Sequence, residues 1–439
     1  MKKTLSSPRF QRLAKEGGWI MAGQIASVLG SLVLVRVLTQ YLEPAQYGQL
    51  ALGLTVTGLI NQVVMGGVTN GIGRYYSIAS EAKDLPGYLN ASRRLMAYAT
   101  AAVVTIALLL ISGLWWFGYS QWIGLTAAAL ALALMSGYNS SMSSMQSAAR
   151  QRAVVAFHGG LDTWLKILLA VGVMIWLGHS STAVVIGYAL SSLLVTSSQF
   201  FFLRRLIPPN GNPPQRHENW QRQMWLYALP FSTFGVFTWA QQTSDRWSLQ
   251  NFGNIEDIGM YAVLFQLGYA PIGLVTNMAM AFVGPILYQR SGSASDTDRN
   301  IGVHRLAWRI AGTSLAITVI AAGFTFVLHD WIFGLLVNAK YAQVSFLLPW
   351  VVMAGGLFAA GQMLALKLMS EMKPTQMTTA KILTALIGIG LNVYGASRFG
   401  VNGVVAALVG FSAIYFLWMA WFSMRFPATQ AQPHQTSKI

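Results

Sequence analysis

The sequence predicts an all-α polytopic membrane protein with about 12 transmembrane helices, arranged as two pseudo-symmetric six-helix lobes around a central cleft. Three observations lead to this prediction. Hydrophobic residues make up 54% of the chain and charged residues only 10%, whereas a soluble domain has about 25% charged residues. Apolar runs long enough to cross about 30 Å of hydrocarbon recur along the whole length. An internal repeat relates the two halves of the chain.

Hydropathy averaged over about 19 residues separates these runs into individual spans. The predicted spans are 17–40, 46–72, 93–116, 119–143, 153–177, 182–203, 224–246, 257–288, 304–328, 342–369, 376–397 and 401–424. The first run has no small-residue cleavage site after it, so it is interpreted as a retained span and not as a signal peptide.

The spans and the loops between them divide the chain into segments. Residues 1–16 have the basic, amphipathic pattern of a helix on the cytoplasmic headgroup surface, although a disordered basic tail fits the same residues. Residues 17–203 form the first lobe and residues 223–425 the second. The Pro-rich stretch 204–222 is predicted to link them in the cytoplasm, and residues 426–439 are predicted to form a cytoplasmic tail.

The basic residues indicate the orientation in the membrane. The net charge is +16, and all but five of the 29 Lys and Arg residues fall in the termini or in alternate loops. The positive-inside rule therefore predicts that both termini are cytoplasmic, as an even number of spans requires. Because these cations lie in short clusters at helix ends, they indicate contact with anionic lipid and not with nucleic acid. The chain has no cysteine, which excludes disulfides and thiolate metal sites.

The internal repeat gives the relation between the lobes. Residues 35–76 recur about 210 residues later in the chain. The matched pairs are Arg36 with Arg246, Gln40 with Gln250, Gly48 with Gly259, and Ala51 with Ala262. Each predicted lobe starts and ends in the cytoplasm, so the repeats share one orientation and are related by an axis along the membrane normal. Such a pair encloses a central cleft.

Five short motifs, in this order and spacing, resemble those of one membrane family. They are LEPAQYGQLAL after span 1, GGVTNGIGRYY at the end of span 2, SDRWSLQNFGNIEDIGMYA at spans 7 and 8, GPIL closing span 8, and FGLLVNAKYAQVSFLLPW before span 10. The chain thus resembles the polysaccharide biosynthesis, or O-antigen flippase, family of the multidrug/oligosaccharidyl-lipid/polysaccharide exporter (MOP) superfamily. Relatives often have an acidic residue before span 10, where this chain has Asn338 and Ala339, so no acidic gate is expected there.

The resemblance implies a flippase for undecaprenyl-pyrophosphate-linked oligosaccharide, either an O-antigen or an exopolysaccharide repeat unit. It implies movement from the cytoplasmic to the periplasmic leaflet of a bacterial inner membrane by alternating access. No cofactor is implied, and a polysaccharide polymerase or chain-length protein is a further candidate partner. Spans 1, 2, 7 and 8 are the ones that would line the cleft.

A pyrophosphate substrate requires cations within that cleft. A cation at the bilayer centre costs about 2.5–3.5 kcal/mol, so such residues usually face protein or water. Arg36 and Arg246 occupy equivalent positions near the periplasmic ends of spans 1 and 7 and are predicted to bind the pyrophosphate. The alternative is that both extend to the outer headgroups. Adjacent helical residues do not share a face, so Asp245 is predicted to pair with Arg36, as a latch that closes the outer mouth.

A second charged pair lies deep within span 5. Asp162 and Lys166 are one helical turn apart and are predicted to pair on one face. In the functional interpretation, Lys166 contacts phosphate while Asp162 takes up H⁺ or Na⁺ and couples its movement to transport. In the alternative interpretation, the two residues form a permanent structural pair within the first lobe.

Polar residues also interrupt the four spans that would line the cleft. The amides predicted to contact sugar are Gln24, Asn61, Gln62, Asn70, Gln241, Gln242 and Gln266. Hydrogen bonds between helices explain individual cases equally well. Arg74, at the inner end of span 2, is predicted either to receive the incoming pyrophosphate or to contact anionic lipid.

Other functions fit the sequence less well. A membrane glycosyltransferase or polymerase would need a large periplasmic segment or acidic outer loops, and the sequence has neither. It also lacks a phosphate-binding glycine loop and zinc-spaced histidines, so no enzyme activity and no metal site are predicted. A multidrug cation antiporter of the same superfamily is the main alternative, although its cleft would favour acidic residues. A non-transporting membrane scaffold is the other.

Overall fold

The computed structural model describes residues 8–204, 219–291, 297–370 and 374–425, which are almost entirely helical. The first six helices are α1 (Pro8–Tyr41), α2 (Pro44–Glu81), α3 (Leu85–Trp116), α4 (Ile123–Ala148), α5 (Arg152–Leu177) and α6 (Ser181–Arg204). The others are α7 (Trp220–Phe252), α8 (255–291), α9 (Thr297–Leu336), α10 (Leu348–Ser370) and α11 (Pro374–Arg425). The predicted all-α fold is confirmed.

Within the described residues, ten helices are long and apolar enough to cross a membrane. One of them, α11, breaks at Gly400, where φ is 55° and ψ is −133°. Gly395 and Gly403 approach each other so closely that neither has room for a Cβ, so α11 contains two spans that fold back on each other. α7 is not among the ten, because amide and charged residues interrupt its apolar surface. With α7 and both halves of α11, the helices account for the predicted spans.

Local sequence signals set several helix ends. α2 begins at Pro44, whose fixed φ suits a first helical turn and whose missing N–H is not needed there. Asp84 caps α3, since its Oδ1 accepts a hydrogen bond from the backbone nitrogen of Gly87 at 3.0 Å. Gly178 ends α5 with a φ of 93°, a conformation that favours glycine.

The chain forms two compact units. The first comprises Met1–Gln250 and Asn254–Ala262, so α7 and the first turns of α8 belong with α1–α6. The second comprises Asn251–Gly253 and Val263–Ile439. The boundaries of the two six-helix lobes, residues 17–203 and 223–425, stay a prediction.

Three predicted segments lie wholly or partly outside the described residues. These are the N-terminal segment 1–16, of which the backbone is described from Pro8, the linker 204–222 and the tail 426–439.

Each unit has its own apolar core. In the first unit, side chains from α2, α3 and α7 are buried in one cluster, whose members include Met65, Ile72, Tyr88, Trp220 and Met224. In the second unit, α9, α10 and α11 bury a cluster that includes Ala311, Leu364, Leu368, Tyr415 and Met419. The core of the first unit therefore holds the beginning of α7 against α2 and α3.

Apolar side chains also cover the outer faces of long helices. Leu109 of α3 is 69% exposed, and Ile320 and Val327 of α9 are 72% and 76% exposed. In water, contiguous surfaces of this kind cause association, whereas in a bilayer they contact acyl chains. The chain is thus a multi-pass membrane protein.

Candidate functional site

The first charged cluster lies where α7 meets α8. Asp245 is only 5% exposed, and its Oδ2 accepts a hydrogen bond from the Tyr261 hydroxyl at 2.7 Å. Its Oδ1 accepts from the Arg246 backbone nitrogen at 2.7 Å and from Arg246 Nη1 at 3.3 Å. The Arg246 guanidinium also lies 5.9 Å from the Tyr261 ring centre. A buried carboxylate is thus satisfied by a cation and a phenol.

One expectation about this cluster is wrong. Helical spacing suggested that the adjacent residues Asp245 and Arg246 would not pair, yet they form an ion pair. The arginine side chain is long enough to fold back along its own helix, so its head reaches a carboxylate that its Cβ does not face. Arg36 is half-buried near the end of α1, and its pairing with Asp245 stays a prediction.

The second charged cluster lies between α5 and α6. The predicted pairing of Asp162 with Lys166 is confirmed, with Lys166 Nζ 2.5 Å from Asp162 Oδ2. Asp162 Oδ1 also accepts from the hydroxyls of Ser191 at 3.2 Å and Ser192 at 3.4 Å. Both serines are fully buried, and sequence reasoning missed them, although two adjacent serines within an apolar span were a readable signal. The carboxylate is thus surrounded by donors from two helices.

His158 extends this polar strip by one helical turn. It is fully buried, with Nδ1 2.8 Å from the Val154 carbonyl oxygen and Nε2 3.1 Å from Ser198 Oγ. Because a carbonyl only accepts, Nδ1 carries the proton in a neutral ring, and Nε2 accepts from the serine. Sequence reasoning missed this residue, whose spacing of four from Asp162 places it on the same helical face.

Amides join α2 to its neighbours. Gln62 Nε2 donates to Gln242 Oε1 of α7 at 2.9 Å, so two residues predicted to contact sugar bind each other. Asn61 Nδ2 donates to Ser136 Oγ of α4 at 2.9 Å, and Asn61 Oδ1 is buried with no hydrogen-bond partner among the described residues. Gln62 and Gln242 thus form a hydrogen bond between helices, as in the alternative interpretation of these amides.

The other predicted site residues are separate from these clusters. Gln24 is half-buried on α1, and its Oε1 has no partner within the described residues. Asn70 and Arg74 are exposed on α2, whereas Gln241 is half-buried on α7. Gln266 belongs to the second unit.

Both α2 and α8 contain a π-helical turn, at Asn61–Met65 and at Phe265–Tyr269. Such turns are rare in proteins and are frequent at functional sites. Gln62 lies in the first turn and Gln266 in the second, so two predicted substrate contacts coincide with irregular backbone.

α2 and α8 cross at the two glycines that the internal repeat pairs. A methyl group at Gly48 would overlap the carbonyl oxygen of Ile255 and lie 3.1 Å from the nitrogen of Gly259. A methyl group at Gly259 would overlap the carbonyl oxygen of Pro44 and lie 3.1 Å from the nitrogen of Gly48. Each glycine thus faces the other glycine and the carbonyl oxygen of the residue four positions before it. This reciprocal arrangement is that of a two-fold axis. The crossing thus has the local symmetry expected from the repeat.

Known structures share this fold. An inward-facing MATE family multidrug resistance transporter of the MOP superfamily aligns with a TM-score of 0.69 and 14% identity, over 93% of this chain and 96% of that one. Lipid II flippase MurJ, in an inward closed conformation, aligns at 0.65 and 12% identity, over 93% and 87%. The Vibrio cholerae MATE transporter VcmN aligns at 0.56 and 16% identity, over 95% and 97%. No curated protein matches the sequence significantly.

A protein family model matches the sequence of this chain. The model of the family described as "Polysaccharide biosynthesis protein" matches residues 13–290, which is more than half of the chain. The match runs from α1 to the end of α8 and includes both charged clusters. The chain therefore belongs to the polysaccharide biosynthesis protein family and has the fold of MOP superfamily transporters.

Proposed function

We propose that this protein flips an undecaprenyl-pyrophosphate-linked oligosaccharide, an O-antigen or exopolysaccharide repeat unit, across a bacterial inner membrane by alternating access. Movement is from the cytoplasmic to the periplasmic leaflet, and both termini are cytoplasmic. The observation that carries the proposal is family membership over residues 13–290. The similarity of fold to a lipid II flippase is consistent with a lipid-linked substrate.

The sign of the membrane-embedded charges also supports this substrate. Arg36, Lys166 and Arg246 are cations within spans, and the side chains of Lys166 and Arg246 are only 26% and 15% exposed. Cations suit the pyrophosphate of a lipid-linked sugar, whereas a cationic drug would favour carboxylates. Asp162 and Asp245 each pair with one of these cations, so the three cations exceed the carboxylates by one. This balance of charge favours a flippase over a multidrug cation antiporter.

The proposed function predicts flipping by the purified protein. In liposomes, a labelled undecaprenyl-pyrophosphate oligosaccharide should become accessible to an impermeant lectin at a rate that depends on the protein. Arg36→Gln is expected to lower this rate at least about tenfold, equivalent to about 1.4 kcal/mol of lost stabilisation, because a pyrophosphate contact is removed. Arg94→Gln, on the exposed face of α3, is the control and should leave the rate unchanged. Export of a cationic dye without movement of the labelled lipid would instead identify an antiporter.

We further propose that Asp162 couples flipping to uptake of H⁺ or Na⁺. Its carboxylate is held by Lys166 and two serines, so a change in its charge would alter the contact between α5 and α6. Asp162→Asn is expected to abolish the response of the flipping rate to an imposed proton or sodium gradient while leaving the protein folded. Ser197→Ala, which loses only a bond to its own helix, is the control. A variant with full flipping and unchanged gradient dependence would assign the pair a structural role.

A further inference from the structure

A buried histidine lies on α5 one helical turn before the Asp162–Lys166 pair. His158 is fully buried, and its spacing of four residues from Asp162 corresponds to about 6 Å along the helix. In the neutral ring, Nδ1 donates to the Val154 carbonyl oxygen, and Nε2 accepts from Ser198 Oγ at 3.1 Å. Because the serine hydroxyl can turn from donor to acceptor, Nε2 can take up a second proton while Nδ1 keeps its hydrogen bond.

Few charged residues lie on α5 or on the helices packed against it. Between residues 153 and 203, the Asp, Glu, Lys, Arg and His residues other than His158 are Asp162, Lys166 and His179. His179 is exposed beyond the far end of α5. The stretches 17–35 of α1 and 123–148 of α4 contain no residue of these types. Asp162 is therefore the one acidic side chain of these stretches with which His158 can exchange a proton.

Buried amide oxygens continue from His158 toward the turn between α4 and α5. Gln146 and Gln199 are fully buried. Gln146 Nε2 donates to the Gln199 carbonyl oxygen at 3.4 Å, and Gln199 Nε2 donates to Ser143 Oγ at 2.8 Å. The side-chain oxygens of Gln146, Gln199 and Gln151 are buried, and none has a hydrogen-bond partner in the part of the chain that the structure describes. Three acceptors near one end of α5 are thus left to accept from a donor other than these helices.

Water is the donor that suits such acceptors. A buried polar group without a partner costs more free energy than an ordinary hydrogen bond contributes, and small polar sites inside proteins commonly hold water for this reason. Gln199 follows Ser198 directly in α6, and Gln151 immediately precedes α5. From Gln151 to Asp162, α5 advances about 16 Å, which is about half of the hydrocarbon core of about 30 Å.

We infer that His158 carries protons between Asp162 and the side of the membrane on which the α4–α5 turn lies, which the predicted topology makes the cytoplasm. The inference rests on the proposed coupling role of Asp162, and it identifies H⁺ as the coupled ion. Imidazole is the side chain best suited to pass protons on near neutral pH. The amide oxygens of Gln146, Gln151 and Gln199 hold the water that connects it to the turn.

The direction of transport makes this the path of proton release. A proton gradient drives export of the lipid-linked substrate when the proton moves the opposite way, into the cytoplasm. In the release step, protonated Asp162 gives its proton to Nε2 of His158 and becomes a carboxylate, which pairs with Lys166 as observed. The imidazolium then gives a proton to water at the amide oxygens and returns to the neutral ring.

The flipping assay in liposomes tests the inference when a proton gradient is imposed. The quantity measured is the ratio of the flipping rate with the gradient to the rate without it. His158→Gln is expected to reduce this ratio to about one, because glutamine keeps a polar side chain and does not titrate. His179→Gln is the matched control, since it makes the same change at an exposed histidine, and its ratio should equal that of the unmodified protein. An unchanged ratio in His158→Gln would give the histidine a structural role and overturn the inference.

Two further measurements in the same assay separate the alternatives. A sodium gradient at equal pH should leave the rate of the unmodified protein unchanged, and a response to sodium but not to protons would contradict the inference. Gln199→Leu replaces a buried amide by an apolar group of similar size, so it should lower the response to the proton gradient without lowering the midpoint of thermal unfolding. A full response in this variant would show that the amide oxygen does not serve proton transfer.

Protonation of Asp162 can also be followed without any flipping. After a rapid acidification of the protein in detergent, a carboxylic acid infrared band should appear that Asp162→Asn removes. The band should appear at least about tenfold more slowly in His158→Gln than in His179→Gln, because the proton loses its carrier. Equal rates, or the absence of such a band, would overturn the inference. Absence of flipping by the unmodified protein would count against the proposed function, while these infrared rates would still decide the role of His158.

Discussion

Gly259→Ala is expected to destabilise the protein by about 1–3 kcal/mol, the usual cost of adding a methyl group where there is no space. The new Cβ would overlap the carbonyl oxygen of Pro44, and a backbone oxygen within a helix cannot rotate away. Gly48→Ala should have a similar effect, because its Cβ would overlap the carbonyl oxygen of Ile255. The midpoint of thermal unfolding in detergent measures both effects.

Matched controls lie on the same two helices. Gly273 of α8 has no atom within 4 Å of an added Cβ, and Gly58 of α2 has only a Trp239 ring atom at 3.8 Å. Alanine at these positions should be neutral or should stabilise the protein by about 0.5–1 kcal/mol, because glycine is unfavourable within a helix. Equal unfolding midpoints for Gly259→Ala and Gly273→Ala would show that α2 and α8 do not cross at these glycines.

Arg246→Met is expected to cost about 3–5 kcal/mol, the usual result of removing one partner from a buried ion pair. Asp245 is only 5% exposed, and without the arginine its charge would be balanced by hydrogen bonds from Tyr261 and from the backbone. Arg398→Met is the control, because that arginine is exposed on α11 and should contribute less than about 1 kcal/mol. Unfolding midpoints compare the two variants.

The double variant D245N/R246M separates stability from substrate binding. It removes both charges and leaves an amide oxygen that can accept the Tyr261 hydrogen bond, so it should recover most of the stability lost in Arg246→Met. If Arg246 also binds pyrophosphate, flipping stays low in the double variant despite the recovered stability. Full flipping would assign Arg246 to structure alone, and failure to recover stability would mean that the pair is not the source of the loss.

Much of the fold follows from the sequence because its signals are local. Apolar runs give the spans, and Pro44, Asp84 and Gly178 mark the ends of helices α2, α3 and α5. The break at Gly400 separates two spans that were also separate by hydropathy. The assignment of α7 to the first compact unit was not predictable in this way, because it depends on contacts between helices that are distant in sequence.

The candidate site was predicted less completely for the same reason. The spacing of Asp162 and Lys166 was sufficient to predict their pair, since both residues lie on one helix. The serines that complete this cluster come from α6, and Tyr261 reaches Asp245 from α8. The adjacent serines are visible in the sequence, but the spacing of residues along one helix does not show which carboxylate a residue of another helix contacts. Asp245 pairs with Arg246 because of the rotamer that the arginine side chain adopts. The rule that adjacent helical residues do not share a face considers only the direction of the Cβ atoms.

The π-helical turn in α2 has a consequence for the residues after it. Each residue advances an α-helix by about 100°, because 3.6 residues complete one turn, and a π-turn accommodates one residue more. Gly67 and Gly71 follow the turn Asn61–Met65, so their azimuth about the helix axis depends on that additional residue. Gly67 and Gly71 face the carbonyl oxygens of Ala228 and Met224 in α7. Loss of one residue from the turn would rotate both glycines by more than a quarter of a revolution and present bulkier side chains to α7.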